Sequence, residues 1–556
     1  MATADIAPPP HGYFRVGMAQ LNQTVGDLAG NCERIHAEYA AGVASGCHIV
    51  VFPELAVTGY PPEDLVLKAQ FVRDNIAAMR QVASTTGECA ALVGFVDERD
   101  GDLFNAVALC QSGEVVEVYH KQLLPNYAVF DEERYFTPGP VEVNGRTAGV
   151  FTFHGHTVAM SICEDIWRND GPVARQALAG ARINFNINGS PFHDGKHLNR
   201  ESMLQERARE GNCAIVYVNQ VGGQDELVFD GSSVVVDAHG NIASRSPSFM
   251  SHFQTVDISF DGTSVKGNVT TFEEDIDRMY EALVVGTRDY VHKNGFSDVV
   301  IGLSGGIDSS IVAAIAVDAL GADHVHGVAM PSRYSSQGSL DDAERLAKNL
   351  GIDYRVISIE PAFSSYLEML APSFVGRDPD LTEENLQSRC RGMTLMGLSN
   401  KFNWMVLTTG NKSEMAVGYF TIYGDSAGGY AIIKDVFKLQ VFALSRYVNT
   451  RAGKEVIPET VLTKPPSAEL RPDQRDDQSL PPYEELDPIL RLYIDHDKSV
   501  PEIVAEGFNV DVVSRIARLV DINEYKRRQC APGVRVSTKA FGKDRRMPIT
   551  NGYRYK

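Results

Sequence analysis

The first half of the chain alternates short apolar runs with longer stretches in which apolar residues recur every three or four positions. Short runs that end at glycine, proline or polar residues predict β-strands, and the longer spacing predicts amphipathic helices. The predicted helices are Asn31–Ser45 and Leu198–Gly211. The predicted strands are Phe14–Leu21, His48–Pro53, Ala90–Val96, Ala106–Cys110, Val158–Ile162, Ile183–Asn188, Ala214–Asn219 and Ser232–Asp237. Their alternation with short links indicates an α/β layered domain.

A stretch rich in glycine, threonine and serine, Asp261–Thr271, separates this half from a second apolar pattern. Thr271–Glu274 matches a capping box and predicts that a helix opens there. The apolar positions from Ile276 to Val291 then keep helical spacing. We therefore predict a first domain over residues 12–262, a linker over 263–274 and a second domain over 275–556.

The segment Thr463–Leu486 is rich in proline and charged residues. This composition is typical of a solvated loop that is disordered in the unliganded protein. The alternative is a segment that folds over an active site.

Length and composition narrow the class of protein. A single core stops growing at roughly 250–300 residues, so 556 residues predict two domains. The net charge of -20 argues against nucleic acid or an anionic membrane as a partner. The chain shows neither a secretory signal nor a long apolar run. Its eight cysteines form no CxxC pair, which favours neither a zinc site nor a disulfide framework and suits a reducing cytosol. We expect a cytoplasmic protein.

The motif Ser304–Ser310 (SGGIDSS) lies between the apolar runs Val299–Leu303 and Ile311–Val317. This order predicts a strand, a tight glycine turn and a helix. Small residues let the backbone approach an anion closely, and a helix N-terminus offers unpaired N–H groups and the positive end of its dipole. The motif therefore predicts a phosphate-binding loop.

Other phosphate motifs are absent here, since no Gly-Lys-Ser/Thr and no GxGxxG follows this strand. The string resembles the SGGxDS loop of the ATP pyrophosphatase (PP-loop) superfamily. That resemblance implies a Rossmann-like, adenine nucleotide α-hydrolase-like fold with a doubly wound parallel sheet, and cleavage of ATP between its α and β phosphates. The residues that would bind ATP are Gly302, Leu303, Ser304, Gly305, Gly306, Ile307, Asp308 and Ser309. An acid among phosphates needs a cation, so we expect Asp308 to be associated with Mg²⁺, with capping of the turn as the structural alternative.

Glu54, Lys121 and Cys163 each come directly after a strand-like run. Strand ends converge in an α/β sheet, so these residues could share one pocket. A nearby ammonium group favours a thiolate, a carboxylate can move the thiol proton to a leaving amine, and the ammonium can stabilise an oxyanion. Singly, a cysteine after a strand is more often a core residue, and a glutamate or lysine is usually solvated. Together the three residues predict a cysteine amidase.

The strings around these residues are FPEL, YHKQLLPNYAVFDEERYF and ICEDIW. They resemble the Glu-Lys-Cys signature of the nitrilase superfamily, and in particular the glutaminase branch found in glutamine-dependent NAD synthetases. The resemblance implies a nitrilase-like α-β-β-α sandwich that hydrolyses glutamine. By the same resemblance the glutamine contacts are Tyr127, Ser190 and Lys196. Glu132 would help to orient Lys121, and Arg200 is either a contact or a surface residue.

Further strings in the second half resemble NAD synthetases, among them MPSRYSS, ENLQSRCR, TTGNKSE and NEYKRR. The resemblance implies that Asn385, Glu414 and Lys526 contact deamido-NAD⁺ and that Thr409 contacts ATP. Glu414 could also reach Mg²⁺. Two arginines, Arg333 and Arg389, are candidate phosphate or ribose partners. A helix-surface arginine is the alternative for Arg389, and a solvated charge run is the alternative for Lys526.

The combined resemblance implies a glutamine-dependent NAD synthetase. Glutamine would give ammonia at Cys163, and an internal tunnel would bring it to deamido-NAD⁺ adenylated by ATP. Mg²⁺ is the implied cofactor, and family members generally pair through the synthetase domain, so we expect a homo-oligomer. Three rivals remain at this point: another PP-loop amidotransferase such as GMP synthetase, an amidase whose second half only senses nucleotide, and an inactive scaffold.

Overall fold

The computed structural model describes residues 8–472 and 474–553. Between Glu274 and Asp275 the chain divides into two compact units. In the described part no helix is long and apolar enough to cross a membrane. All eight cysteines are free thiols.

The first unit is built on two large sheets. Its helices are α1 (Leu28–Ala44), α2 (Ala69–Ser84), α3 (Pro172–Leu178) and α4 (Lys196–Gly211). Its strands are β1 (Tyr13–Gln20), β2 (Ile49–Val51), β3 (Ala90–Arg99), β4 (Asp102–Gln111), β5 (Glu114–His120), β6 (Glu142–Val143), β7 (Arg146–Thr147), β8 (Val150–Phe153), β9 (His156–Ile162), β10 (Ile183–Asn188), β11 (Ala214–Asn219), β12 (Val221–Gln224), β13 (Leu227–Asp230), β14 (Val234–Val236), β15 (Ile242–Arg245), β16 (His252–Ser259) and β17 (Val265–Lys266). The sheet orders are β17-β16-β1-β2-β3-β4-β5 and β15-β14-β11-β10-β9-β8.

Side-chain alternation explains why these strands form layers. Ile49 and Val51 enter a core shared by both large sheets, whereas Val50 and Phe52 pack against α1 and α2. On the second sheet Ile215 and Tyr217 pack with residues of α3 and α4. The result is the predicted α-β-β-α sandwich.

The boundary region differs from the sequence prediction in two respects. Val265 and Lys266, within the segment predicted as a linker, pair with β16. The helix predicted to open at the Thr271–Glu274 capping box begins at Asp275 instead, so Thr271 is not its N-cap.

The second unit contains one parallel sheet with helices around it. Its strands are β18 (Val299–Gly302), β19 (Val325–Ala329), β20 (Asp353–Val356), β21 (Met405–Thr408) and β22 (Tyr430–Ala431). Its helices are α5 (Asp275–Lys293), α6 (Ile307–Leu320), α7 (Gln337–Leu350), α8 (Glu360–Leu370), α9 (Leu381–Phe402), α10 (Lys412–Val417), α11 (Lys438–Ala452), α12 (Glu459–Thr463), α13 (Tyr483–Leu490), α14 (Val500–Ala505), α15 (Val510–Ile522) and α16 (Glu524–Arg527).

The strand order of this sheet is β20-β19-β18-β21-β22, and each neighbouring pair is parallel. The order reverses between β18 and β21. Such a reversal opens a crevice at the carboxyl ends of the strands, where ligands bind in doubly wound folds. The predicted phosphate loop follows β18, and Thr409 follows β21.

Candidate active sites

In the first unit the structure brings Glu54 and Lys121 into direct contact. Lys121 Nζ lies 2.7 Å from Glu54 Oε1 and 2.9 Å from Glu132 Oε1. All three side chains are buried. Glu132 therefore contacts Lys121 directly, as its predicted role in orienting Lys121 requires.

Two further donors fix the Glu54 carboxylate. Asn105 Nδ2 donates to Glu54 Oε1 at 2.7 Å, and the Gly189 backbone N–H donates to Glu54 Oε2 at 2.8 Å. Sequence reasoning missed both. Asn105 could have been recognised from the sequence, because it is a polar residue within the otherwise apolar buried run of β4.

Cys163 follows β9 with φ at +44°, a left-handed backbone conformation that is strained for a non-glycine residue. Asp165, two residues on, holds this turn. Its carboxylate accepts hydrogen bonds from the backbone N–H groups of Ile162, Gln122 and Leu123. Because Gln122 directly follows Lys121, this buried carboxylate ties the cysteine segment to the lysine segment. Asp165 lies inside the ICEDIW string, yet the sequence assigned it no role.

The charges define the resting protonation of the site. Burial raises the pKa of the Cys163 thiol well above its usual value, the Glu54 carboxylate raises it further, and Lys121 opposes both. Burial works against the Lys121 ammonium, but Glu132 and Glu54 together raise its pKa well above the usual value. Burial also raises the pKa of Glu132 to about 7. The cysteine is therefore a thiol at neutral pH and needs a base before it can act as a nucleophile.

The predicted glutamine contacts lie around this site, and two of them, Tyr127 and Lys196, interact with Glu164, a residue that the sequence analysis did not name. Tyr127 is 55% exposed, and its hydroxyl donates to Glu164 Oε2 at 3.0 Å. Lys196 begins α4, donates to the carbonyl oxygen of Pro191 at 2.9 Å, and its charge helps to lower the pKa of the Glu164 carboxyl, which burial raises overall. Ser190 is buried, and its backbone N–H donates to Asn219 Oδ1.

Arg200 lies outside this group of contacts. It is buried and pairs with Asp230 through two hydrogen bonds of 3.1 and 2.9 Å. It is therefore a core residue rather than a surface residue.

In the second unit the first three residues of SGGIDSS lie in the turn between β18 and α6, and the other four begin α6. Gly305 has φ at +74°, and a Cβ atom there would lie 2.1 Å from the carbonyl oxygen of Ser339. The Gly306 N–H donates to Ser304 Oγ at 3.1 Å, while the Ser309 hydroxyl donates back to the Gly306 carbonyl. Gly305 thus requires glycine for two reasons: its backbone is left-handed, and another chain segment approaches it closely.

A cavity of about 590 Å³ opens beside this loop. Predicted substrate residues that line it are Gly302, Leu303, Ser304, Gly306, Ile307, Asn385, Thr409 and Lys526. Asn385 Oδ1 accepts a hydrogen bond from the Thr421 hydroxyl at 2.7 Å. Lys526 Nζ donates to the carbonyl oxygens of Gly418 and Phe420.

Asp308 and Glu414 are joined through one lysine that the sequence analysis did not single out. Lys438 Nζ lies 2.5 Å from Asp308 Oδ2 and 3.1 Å from Glu414 Oε1. Asn411 Nδ2 also donates to Asp308, and its own Oδ1 accepts from the Glu414 N–H at the start of α10. In residues 8–472 and 474–553 no group of three or more His, Cys, Asp or Glu side chains is placed to hold a metal ion. Carboxylate oxygens are the ligand type that Mg²⁺ prefers in proteins.

Arg333 and Arg389, proposed from sequence as phosphate partners, do not line the cavity. Arg333 is exposed and bonded to Glu360. Arg389 lies on the exposed face of α9, where its Nε donates to the carbonyl oxygen of Ile422 at 3.3 Å.

The segment Thr463–Leu486 lies over this cavity in its described part, so the disordered-loop interpretation is wrong. Residues 464–470 line the cavity. Glu469 anchors them, because its carboxylate accepts from the hydroxyls of Ser336 and Ser339, both at 2.7 Å. Asp473 lies outside the described residues.

Two family models match the chain. The model of the carbon-nitrogen hydrolases matches residues 15–265, and the model of the NAD synthases matches residues 279–530. A glutamine-dependent NAD(+) synthetase of Thermotoga maritima is 47% identical over 97% of this chain and 99% of its own length. One of Xylella fastidiosa is 47% identical over 98% of this chain and 99% of its own. The chain belongs to the family of glutamine-dependent NAD(+) synthetases.

Solved structures of this family have the same fold. A glutamine-dependent NAD⁺ synthetase of Acinetobacter baumannii, in complex with adenosine diphosphate, has a TM-score of 0.78 and 41% identity, and the match covers 97% of this chain and 99% of that one. An enzyme of Cytophaga hutchinsonii has a TM-score of 0.84 at 23% identity, which bears on the fold alone. The predicted family and both predicted fold classes are confirmed. The residue roles stay predictions and are argued below.

Proposed function

We propose that the chain is an ATP-dependent carbon-nitrogen ligase that amidates deamido-NAD⁺ to NAD⁺ with nitrogen from glutamine, the last step of NAD biosynthesis. The observation that carries the glutaminase half is the buried Lys121 held between Glu54 and Glu132 beside Cys163. The synthetase half is supported by the cavity beside the SGGIDSS turn. The glutaminase half separates the chain from GMP synthetase, which pairs its PP-loop with an unrelated Cys-His-Glu glutaminase.

The glutaminase step follows from the protonation states. Glu54 takes the proton of the Cys163 thiol as sulfur attacks the glutamine side-chain amide carbon. Lys121 stabilises the oxyanion of the tetrahedral intermediate. The C–N bond breaks, and Glu54 returns the proton to the departing nitrogen as ammonia. Water then attacks the thioester, Glu54 takes its proton, and glutamate leaves as the thiol is restored.

Charge complementarity supports binding of the α-amino and α-carboxylate groups of glutamine at Glu164 and Lys196. The Lys196 ammonium suits the α-carboxylate of the substrate. The Glu164 carboxylate, which accepts from Tyr127, suits its α-ammonium. Ser190 is a further contact by resemblance.

In the second unit, a carboxylate oxygen of the nicotinate ring attacks the α-phosphorus of ATP. The bond between the α-phosphorus and its bridging oxygen breaks, and pyrophosphate leaves. Ammonia then attacks the acyl carbon, loses a proton and displaces AMP. The turn from Gly302 to Ser309 and Thr409 would hold ATP, and Asn385, Glu414 and Lys526 would hold deamido-NAD⁺.

Mg²⁺ belongs to the proposal as a cofactor. Asp308 and Glu414 would hold it together with the phosphates, and its charge would neutralise the leaving pyrophosphate. Lys438 bridges the two carboxylates and compensates their charge in this structure.

The direct test supplies ATP, Mg²⁺, deamido-NAD⁺ and either glutamine or ammonium, and follows nucleotides by chromatography. The proposal predicts NAD⁺ and AMP with both nitrogen sources. Formation of ADP in place of AMP would contradict it.

Replacing Asn105 by leucine tests how Glu54 is positioned. Leucine has a similar volume but removes the donor to Glu54 Oε1, and a hydrogen bond to a charged group contributes about 1.5–3 kcal/mol. We expect the rate of glutamine hydrolysis to fall roughly 10- to 100-fold, while ammonium-driven synthesis stays within about 2-fold.

The matched control is Asn184→Leu, since Asn184 is also a buried strand asparagine of this unit but bonds to Ser161 and Gln176, away from Glu54. An Asn105→Leu variant that keeps full glutaminase activity would show that Lys121 and the Gly189 N–H are sufficient to position Glu54.

The pH dependence of cysteine alkylation tests the charge balance. Because the pKa of the Cys163 thiol lies above its usual 9.0, iodoacetamide should label it slowly at neutral pH and faster as pH rises. Lys121→Met should move the midpoint to higher pH, since the thiolate loses its counter-charge. Glu54→Gln should move it to lower pH, since a repelling carboxylate is gone.

Peptide mass spectrometry identifies the labelled cysteine, with Cys163→Ala as the blank. A midpoint near neutral pH in the unsubstituted protein would mean that the thiol is ionised before any base acts.

Two broader properties belong to the same proposal. A cytoplasmic location agrees with eight free thiols. Association into a homo-oligomer through the second unit agrees with the large apolar side chains that α9 leaves exposed, among them Met393 and Phe402.

A further inference from the structure

Arg391 lines the cavity of the second unit from α9, two residues after the exposed Arg389. Its Nε donates to the carbonyl oxygen of Met330 at 3.1 Å. Met330 directly follows β19, and Val328 of that strand pairs with Gly302, where the phosphate loop begins. The guanidinium is therefore anchored next to the phosphate loop.

The rest of this guanidinium has no partner among the residues that the structure describes. Within the described residues its two terminal nitrogens make no hydrogen bond, and no carboxylate lies within salt-bridge distance of Arg391. Burial lowers its pKa, and the carboxylates of Glu469 and Asp425 favour its charge only from beyond contact distance. A charge removed from water without a partner costs free energy, and in a cleft such a group commonly meets a ligand.

The other cations that line the cavity are better satisfied. Lys464 pairs with Asp342 at 3.0 Å. Lys526 donates to two carbonyl oxygens, those of Gly418 and Phe420. Among the cavity-lining cations of the described chain, Arg391 is thus the one whose two terminal nitrogens make no hydrogen bond.

We infer that Arg391 binds phosphoryl oxygens of ATP at the end of the phosphate loop. A guanidinium presents two parallel N–H donors that match two oxygens of one phosphate, and it stays charged at every working pH. The hydrogen bond to Met330 already orients the guanidinium before ATP binds, so little side-chain entropy is lost on binding. This assignment rests on the proposed ATP-dependent function.

The position favours ATP over the phosphates of the dinucleotide. Arg391 is anchored at Met330, two residues after Val328. Val328 pairs with Gly302 and accepts a hydrogen bond from the Leu303 N–H, so the anchor lies next to the phosphate loop. The residues proposed for deamido-NAD⁺ lie elsewhere along the cavity wall: Asn385 is nearly two turns earlier on α9, and Lys526 lies in α16.

The test measures binding without turnover. Isothermal titration with ATP and Mg²⁺ is performed in the absence of deamido-NAD⁺ and glutamine, and a second titration uses deamido-NAD⁺ alone. We expect Arg391→Gln to raise the Kd for ATP roughly 10- to 100-fold, as for a lost pair of charge-assisted hydrogen bonds. Arg391→Lys should weaken ATP binding less than Arg391→Gln, because lysine keeps the positive charge. It should still weaken binding, because lysine lacks the two parallel N–H donors of the guanidinium. The Kd for deamido-NAD⁺ should stay within about 2-fold.

Lys401→Gln is the matched control, since it removes an exposed cation from the same helix and should leave both dissociation constants unchanged. Thermal unfolding reports folding, and Arg391→Lys serves as the variant if the glutamine substitution does not fold. An unchanged Kd for ATP in a folded Arg391 variant overturns the inference. So does weaker binding of deamido-NAD⁺ with ATP binding intact. If the unsubstituted protein binds no ATP at all, the proposed function itself is wrong.

Discussion

A Cys163→Ala variant is expected to lose glutamine-driven NAD⁺ synthesis and to keep synthesis from ammonium. Without sulfur no thioester forms, and Glu54 and Lys121 alone cannot cleave an amide at a useful rate. Removing the nucleophile of a covalent mechanism lowers turnover by roughly 10³-fold or more. Ammonium supplies nitrogen without the first site, so the ATP-dependent step proceeds. The measurement compares the rates of NAD⁺ formation with the two nitrogen sources.

Cys213→Ala is the control, because Cys213 is also a buried free thiol of the first unit but precedes β11, away from Glu54 and Lys121. It should retain both activities. Equal loss of both activities in a folded Cys163→Ala protein would contradict the division of labour between the two units.

Gly305→Ala is expected to abolish synthesis from both nitrogen sources. The new Cβ would lie 2.1 Å from the Ser339 carbonyl oxygen, and backbone cannot move away as a side chain can. Alanine also disfavours φ at +74° by about 1 kcal/mol. The turn must shift, and a misplacement of about 1 Å at a reacting centre can cost roughly 10²-fold. We therefore expect at least about 10²-fold slower NAD⁺ formation.

The neighbouring Gly306→Ala provides the comparison. Gly306 has an ordinary φ of -90°, and its nearest obstacle is the Ser304 hydroxyl at 3.1 Å, a side chain that can rotate. Its loss of activity should be clearly smaller. In both variants Cys163 should still react with iodoacetamide, which shows that the first unit is intact. Equal activities of the two variants would mean that the shape of the turn at Gly305 does not matter.

Apolar periodicity was sufficient to predict the layered architecture. The run around Ile49 to Val51 sends alternate residues to two cores, and a strand buried on both faces is recognisable as a continuous apolar run. Helix boundaries were less certain, because Thr271–Glu274 has the composition of a cap while the helix begins at Asp275. A capping pattern indicates a preferred region for the start of a helix, and packing decides which of several neighbouring residues is the first of the helix.

The residues of the site that belong to recognisable sequence motifs could be predicted from the sequence. Glu54, Lys121 and Cys163 each follow a strand, and the structure places Lys121 against Glu54. Asn105 and Asp165 were not predicted, because they act on other residues through buried hydrogen bonds. Nothing in their local sequence shows which strand end they face.

The arginines of α9 show a second limit. Arg389 and Arg391 are two residues apart, so they project to nearly opposite faces of a helix. Which face points inward depends on the packing of α9 against the sheet, and this helix buries polar residues such as Gln387 as well as apolar ones. The sequence suggested Arg389, whereas the cavity contains Arg391. The segment Thr463–Leu486 was misjudged for a related reason: its Glu469 is anchored by Ser336 and Ser339, more than 100 residues away.

Isotope transfer tests the central claim most directly. The protein is supplied with glutamine labelled with ¹⁵N in the side-chain amide, together with ATP, Mg²⁺ and deamido-NAD⁺, and the products are resolved by mass spectrometry. The account predicts ¹⁵N in the carboxamide of NAD⁺, unlabelled glutamate, and AMP formed one for one with NAD⁺. NAD⁺ without the label, or ATP converted to ADP, would contradict it.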